Sequence, residues 1–496
     1  MAKNIMFQGT GSSVGKSILT AGLCRVLVQD GYKTAPFKSQ NMALNSFVTK
    51  DGKEMGRAQV VQAEAAGIEP TVDMNPILLK PTSDVGSQVI INGEVHGNVK
   101  AFDYYKKKPE LKKCVLDAYN NLDEKFDLIV IEGAGSPAEI NLRDNDIVNM
   151  GMAEMVDAPV LLIGDIDRGG VFASIYGTLM LLSKEEQERV KGFVINKFRG
   201  NVDILMPGVR MLEEKINKPC LGVIPYIDLN IDDEDSVTER FRDKGKGDIN
   251  IGVIKLPYIS NFSDFTPLEL EHGINVKYIL NSDDFENIDL LIIPGSKNTI
   301  KDMRYLYDTG FDRIIYKLHR KGIPVIGICG GYQILGQTIT DPDSIESNTN
   351  KINGLGLLNT NTIITATKET KQISGIINEE LEMCKDIKDT NVCGYEIHMG
   401  QTTLSSDTKP FITLEDGRND GAVNKKGNVV GTYLHGIFEN DEFRKAIIKH
   451  LMEKKGLELK ENDISYNDYK NREYDKLADL IRENLDIAKV KEIMGL

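Results

Sequence analysis

Two stretches of this 496-residue chain hold residue types at spacings suited to chemistry. The first is Met6-Phe7-Gln8-Gly9-Thr10-Gly11-Ser12-Ser13-Val14-Gly15-Lys16-Ser17, which leads into a helical pattern through Ile18, Leu19, Leu23, Val26 and Leu27. Strand, glycine loop and helix is the layout of a phosphate-binding P-loop. Backbone N–H groups of Gly11, Ser12, Ser13, Val14 and Gly15 would cradle the phosphates of ATP. Lys16 adds a point charge, and the Ser17 hydroxyl can bind Mg²⁺. The second stretch is Gly327-Ile328-Cys329-Gly330-Gly331-Tyr332-Gln333, where an apolar run ends in cysteine, small residues permit a sharp turn and a helix follows. That pattern is a nucleophile elbow with cysteine in the serine place. The turn exposes the sulfur, and the helix N-terminus favours thiolate. Gly431-Thr432-Tyr433-Leu434-His435-Gly436 presents a histidine at another strand end. A cysteine and a histidine at strand ends of one sheet form a nucleophile–base pair if they meet.

Further polar residues stand at predicted strand ends. Glu132 closes the apolar run 127–131 and is placed to meet Mg²⁺ on the phosphates. Lys38 follows the short strand 32–36, at the edge where doubly wound sheets place ligands, and Asn196 closes 192–196 and could contact a nucleotide base. His398, in Gly394-Tyr395-Glu396-Ile397-His398, is a second polar group for the cysteine cleft. The polar stretch from 54 to 88 reads as a substrate-facing insertion. Asp84, Asp144 and Asp146 are all open as a second metal-binding carboxylate.

Strands alternating with helices must position these residues. The fold class expected is therefore α/β, as two doubly wound, mainly parallel-sheet domains. Residues 1–227 form an ATP-dependent P-loop domain, 228–248 a charged linker, 249–440 the cysteine-bearing domain and 441–496 a helical C-terminal cap. A 41% hydrophobic and 27% charged composition is that of a soluble globular chain. A net charge of −14 argues against a nucleic-acid surface, and no apolar run reaches the length of a membrane span. Six scattered cysteines without zinc spacing suit free thiols in a reducing cytoplasm.

The loop has Thr10 where the usual P-loop has its first glycine, and in this it resembles the dethiobiotin synthetase branch of P-loop proteins. The second half resembles a class I glutamine amidotransferase domain, through Ile293-Pro294-Gly295-Ser296, the Cys329 elbow and His435. Joined, the halves resemble the cobyrinic-acid amidase group. Phe37-Lys38-Ser39-Gln40-Asn41-Met42, Met74-Asn75-Pro76-Ile77-Leu78-Leu79-Lys80-Pro81 and the Tyr395 stretch are similar to those of the cobyric acid synthase family. The resemblance implies that Cys329 attacks glutamine, that Gly330, Gly295 and Ser296 stabilise the oxyanion, that Gln333 holds the glutamine and that His435 moves the proton. It implies internal transfer of ammonia and ATP–Mg²⁺-dependent amidation of the b, d, e and g side chains of adenosylcobyrinic acid a,c-diamide. Lys38, Lys80, Arg143 and Arg168 are then candidates for meeting that polyanion, and Asp146 for the same region. The wider amidotransferase pattern has Glu where this chain has Ile437, so the group that orients His435 stays open, with Glu439 as one guess. The nearest alternative is cobyrinic acid a,c-diamide synthase, against which the 39–42 and 74–76 stretches argue. CTP synthase should carry the missing Glu. A MinD-type switch ATPase should carry a second lysine where Gly11 stands, and it leaves the cysteine elbow without a role.

Overall fold

A computed structural model describes residues 1–83, 86–226, 247–385, 387–406, 408–458 and 464–496. Asp84 and nearly all of the expected linker lie outside them. Two compact units divide the chain. The first comprises Met1–Ala43, Glu54–Glu234 and Tyr469–Leu496, and the second Leu44–Lys53 and Asp235–Asp468.

The first unit is built on a parallel sheet of six strands among the described residues. Their order is Cys220–Pro225, Val190–Phe198, Val160–Asp165, Lys3–Gly9, Leu128–Glu132 and Thr34–Phe37. Continuous apolar runs such as Ile5-Met6-Phe7 and Leu161-Leu162-Ile163 are fully buried, as strands covered on both faces require. Because all six run the same way, Gly9, Glu132, Asp165, Asn196 and Phe37 finish on one edge. The polar stretch after Phe37 adds a small sheet of Gln40–Met42, Ile77–Ser83, Gly86–Ile91 and Glu94–Lys100.

The second unit repeats the plan. Ile274–Ile279, Ile249–Ile254, Leu290–Ile293, Val325–Ile328 and Val429–Thr432 are parallel neighbours, with Ala422–Val423 antiparallel at the edge. The register pairs Ile293 with Gly327 and Ile328 with Thr432, so the residues just past these strands are brought to one edge. A long antiparallel pair, Thr360–Ile377 with Asn391–Leu404, carries Tyr395, Glu396 and His398.

The domain limits differ from the sequence expectation at two places. Residues 44–53, numbered within the first domain, belong to the second unit, where Val48 packs with Tyr395 and Ile397. The C-terminal cap is divided. Phe443, Ile447, Ile448 and Leu451 join the core of the second unit, whereas Leu477, Ala478, Ile481 and Val490 pack with Leu19, Leu23 and Val26 of the P-loop helix. Their apolar spacing is that of any amphipathic helix, and it does not say which core receives it. Among the described residues, no helix is long and apolar enough to cross a membrane.

Candidate active site

Cys329 stands between the strand Val325–Ile328 and the helix Gly330–Leu335 with φ 51° and ψ −106°, a conformation a non-glycine residue adopts only under constraint. Its N–H donates to the Thr432 carbonyl at 2.8 Å, which fixes the turn to the neighbouring strand. A Cβ on Gly331 would collide with the Ile293 carbonyl, so the sharp turn needs glycine there. The helix that follows is six residues long, and another group lies beside the sulfur.

His435 is that group. It is buried and interacts electrostatically with Cys329, and its Nδ1 lies 2.7 Å from Oδ2 of Asp264. The other Asp264 oxygen accepts from the Gly436 N–H at 3.0 Å. Burial pushes the His435 imidazolium down, but the Asp264 carboxylate and Cys329 outweigh it and raise the group to about 10. The Tyr395 ring stacks on His435 at 5.3 Å, and the two residues exchange backbone hydrogen bonds. Cys329, His435 and Asp264 thus gather a thiol, an imidazole and a carboxylate in one site, the groups a nucleophile–base–acid set needs.

The surrounding loop is similarly fixed. Gly295–Ser296 pairs with Ile259–Ser260, and Ser296 Oγ donates to Asp302 at 2.5 Å. Burial raises Asp302 to about 7 against that bond and the Tyr258 N–H, and burial raises Glu346 to about 7 beside the Thr299 N–H. Gln333 accepts from Thr299 Oγ1 at 2.9 Å and donates to Tyr433 Oη at 3.2 Å. His398 stacks on Tyr433 at 3.7 Å, accompanied by Glu396, which Arg418 binds at 2.6 Å.

In the first unit Ser17 Oγ donates to Glu132 Oε1 at 2.9 Å, and Lys38 and Gln62 reach the same buried carboxylate at 2.8 and 2.6 Å. Lys16 Nζ donates to the carbonyls of Gly11 and Gly135. Gly15 has φ +96°, and a Cβ there would run into the Asn196 amide. Asn196 donates to the Val14 carbonyl at 2.8 Å and Lys197 to that of Ser13 at 2.6 Å, so both brace the loop from outside. Hydroxyl, lysine and carboxylate at a helix N-terminus fit a nucleotide polyphosphate with Mg²⁺. Among the described residues no cluster of three or more His, Cys, Asp or Glu could hold a metal. Ser17 and Glu132 are residues that would fit Mg²⁺ beside phosphate oxygens.

Residues 5–236 match the family of the CobQ/CobB/MinD/ParA nucleotide binding domain, and 250–443 match that of the CobB/CobQ-like glutamine amidotransferase domain. A cobyric acid synthase of Clostridium acetobutylicum is 53% identical, over 99% of this chain and 99% of that one. The chain belongs to the cobyric acid synthase family. Members from Thermoanaerobacter sp. (53% identity, 100% of this chain and 99% of the relative) and Alkaliphilus metalliredigens (54%, 99% of each) agree in length as well. The cobyric acid synthase family accounts for both halves, which a switch ATPase does not.

Within this cobyric acid synthase fold, several expected polar contacts are otherwise engaged. Lys80 is buried and paired with Glu54 at 2.8 Å, so its charge is neutralised inside the protein. Asp146 accepts the N–H groups of Val148, Asn149 and Gly151, which makes it a cap for the helix Met150–Met155. Arg143 is held by Glu186, and Arg168 and Asp144 are exposed. Asn196 donates one amide N–H to the Val14 carbonyl of the P-loop. The carboxylate bonded to the His435 imidazole is Asp264 rather than Glu439. Asp264 and Lys197 escaped the sequence reading because neither belongs to a motif, whereas Gln62, from the polar stretch 54–88 expected to face substrate, meets Glu132.

Proposed function

We propose that this chain is a glutamine-hydrolysing ligase that uses ATP to amidate the b, d, e and g carboxylates of adenosylcobyrinic acid a,c-diamide in cobalamin biosynthesis. The observation that carries the reading is the buried Cys329–His435–Asp264 relay, in a chain alike over its whole length to cobyric acid synthases.

Cys329 attacks the carboxamide carbon of glutamine while His435 holds the proton that leaves the sulfur. The N–H groups of Gly330 and the Gly295–Ser296 loop receive the oxyanion. His435 then returns the proton to the departing ammonia, and Asp264 stabilises the imidazolium throughout. Water hydrolyses the thioester to glutamate. In the other half Gly11, Ser12, Ser13, Val14, Gly15, Lys16 and Lys38 bind and orient the nucleotide phosphates. Ser17 and Glu132 would hold Mg²⁺, which neutralises phosphate charge when bound. A carboxylate oxygen is a very poor leaving group, so phosphorylation of the corrinoid carboxylate comes first. Ammonia then displaces phosphate to leave the amide. Six free cysteines suit the cytoplasm as the place of work.

The test is amidation of cobyrinic acid a,c-diamide with ATP and Mg²⁺, supplied with glutamine or with ammonium salt, for wild type and Cys329→Ala. Wild type should use both nitrogen sources and Cys329→Ala only ammonia. Amidation of the a and c positions of cobyrinic acid itself would point to the a,c-diamide synthase reaction. Failure with both nitrogen sources would sink the substrate assignment.

A further inference from the structure

Residues 44–53 leave the nucleotide half of the sequence to join the glutaminase unit, and the next residues, from Glu54, return to the first unit. What they touch there is not ordinary core. The Ser46 carbonyl accepts from Asn261 Nδ2 at 2.9 Å and from Tyr395 Oη at 3.1 Å, and Asn261 Nδ2 also lies 2.8 Å from Tyr395 Oη. Asn45 Oδ1 accepts the Phe262 N–H at 3.1 Å, at the start of the 3-10 turn Phe262–Phe265 that carries Asp264. Gln372 donates to the Val48 carbonyl, and Val48 packs against Tyr395 and Ile397. Asn45, Ser46, Asn261 and Tyr395 are all buried.

These contacts lead within three residues to the relay. Asn261 and Phe262 set the turn that aims Asp264 at Nδ1 of His435. Tyr395 lays its ring on His435. Ile397 presents its carbonyl 3.7 Å from Cys329 Sγ. We propose that residues 45–48 are a positioning strap for the glutaminase base, acting through Tyr395 and Asn261. The inference rests on the glutaminase reading above. Geometry is what such a strap controls: a base displaced by about 1 Å can lose on the order of 10²-fold in rate.

Tyr395→Phe keeps the ring over His435 and deletes only the hydroxyl. Asn261→Gly keeps the left-handed backbone, φ +52°, and deletes only the amide. Each variant is expected to lower kcat for glutamate release about tenfold or more with KM little changed, while ammonia-dependent amidation persists. The double variant should fall by less than the product of the two, because both act on one ring of hydrogen bonds. Alkylation of the Cys329 peptide by iodoacetamide, followed by mass spectrometry, should also slow in both variants. Glutamate release at the wild-type rate, or a parallel loss of both activities that tracks lost thermal stability, would overturn the strap. The alkylation arm separates the two readings: a wild type that forms no amide counts against the proposed reaction, and the strap is still judged on Cys329 reactivity.

Discussion

Asp264 Oδ2 lies 2.7 Å from His435 Nδ1, although the two residues are 171 positions apart. The contact decides which ring nitrogen is left for Cys329. With Nδ1 committed to the carboxylate, the ring orientation is set and the other nitrogen is left free to serve Cys329. The acid that many class I amidotransferases carry two residues after the histidine is replaced by Ile437 in this chain, and Asp264 supplies the charge from a different element.

Asp264→Asn should therefore keep the shape and lose the charge. Glutamate release is expected to fall by about 10³–10⁴, the size of effect seen when the acid of a serine-protease triad is neutralised. Ammonium-supported amidation should continue at the wild-type rate. Glutamate assay and ammonium-driven ATP turnover, run side by side, check this.

The pH dependence follows from the same pair. His435 is raised from its ordinary 6.5 to about 10, so its contribution to stability is complete below about 6.5 and is lost as pH rises through about 10. The basic limb of glutamate release is expected near pH 10 and should move toward neutrality in Asp264→Asn, read from kcat profiles. Asp302 and Glu346 are raised acids with the same sign. Their neutral forms favour the fold at low pH, and that advantage fades as pH rises through about 7. Asp302→Asn should flatten the fall in urea midpoint between pH 4 and 8, with Glu346 and, above about 6.5, His435 supplying the slope that remains.

Lys38 and Glu132 form an ion pair with both side chains almost wholly buried. Removing one partner leaves a buried charge, so Lys38→Met should cost about 3 kcal/mol of stability in denaturant unfolding. The double variant Lys38→Met/Glu132→Gln should recover part of that loss. Both variants should lose amidation with either nitrogen source while retaining glutamate release.

Ile481 is fully buried against the P-loop helix. Ile481→Ala should destabilise the nucleotide-binding unit by about 3 kcal/mol. The same change in the core of the glutaminase unit, Ile447→Ala, should depress that unit instead. Differential scanning calorimetry with glutamine present or absent distinguishes which transition moves.

The residues legible in the sequence are those whose chemistry is written locally. A P-loop is strand, loop and helix within about a dozen residues, and a cysteine elbow is the same, so Lys16, Ser17 and Cys329 announce themselves. Their strand ends then follow from the apolar runs, and a parallel sheet must bring those ends to one edge. Lys80, Asn196 and Asp146 resemble site residues equally well in the sequence, because a polar residue near a strand end or in an insertion carries no record of its partner. Glu54, the Val14 carbonyl and three backbone N–H groups take them up only in the folded chain. The orienting acid, the crossing of residues 44–53 into the second unit and the division of the C-terminal helices depend on contacts between distant segments. The sequence by itself determined which chemistry the chain carries and which strands present it. Tertiary packing alone decided which carboxylate meets His435 and which segment steadies it, because those partners share proximity in space and no pattern along the chain.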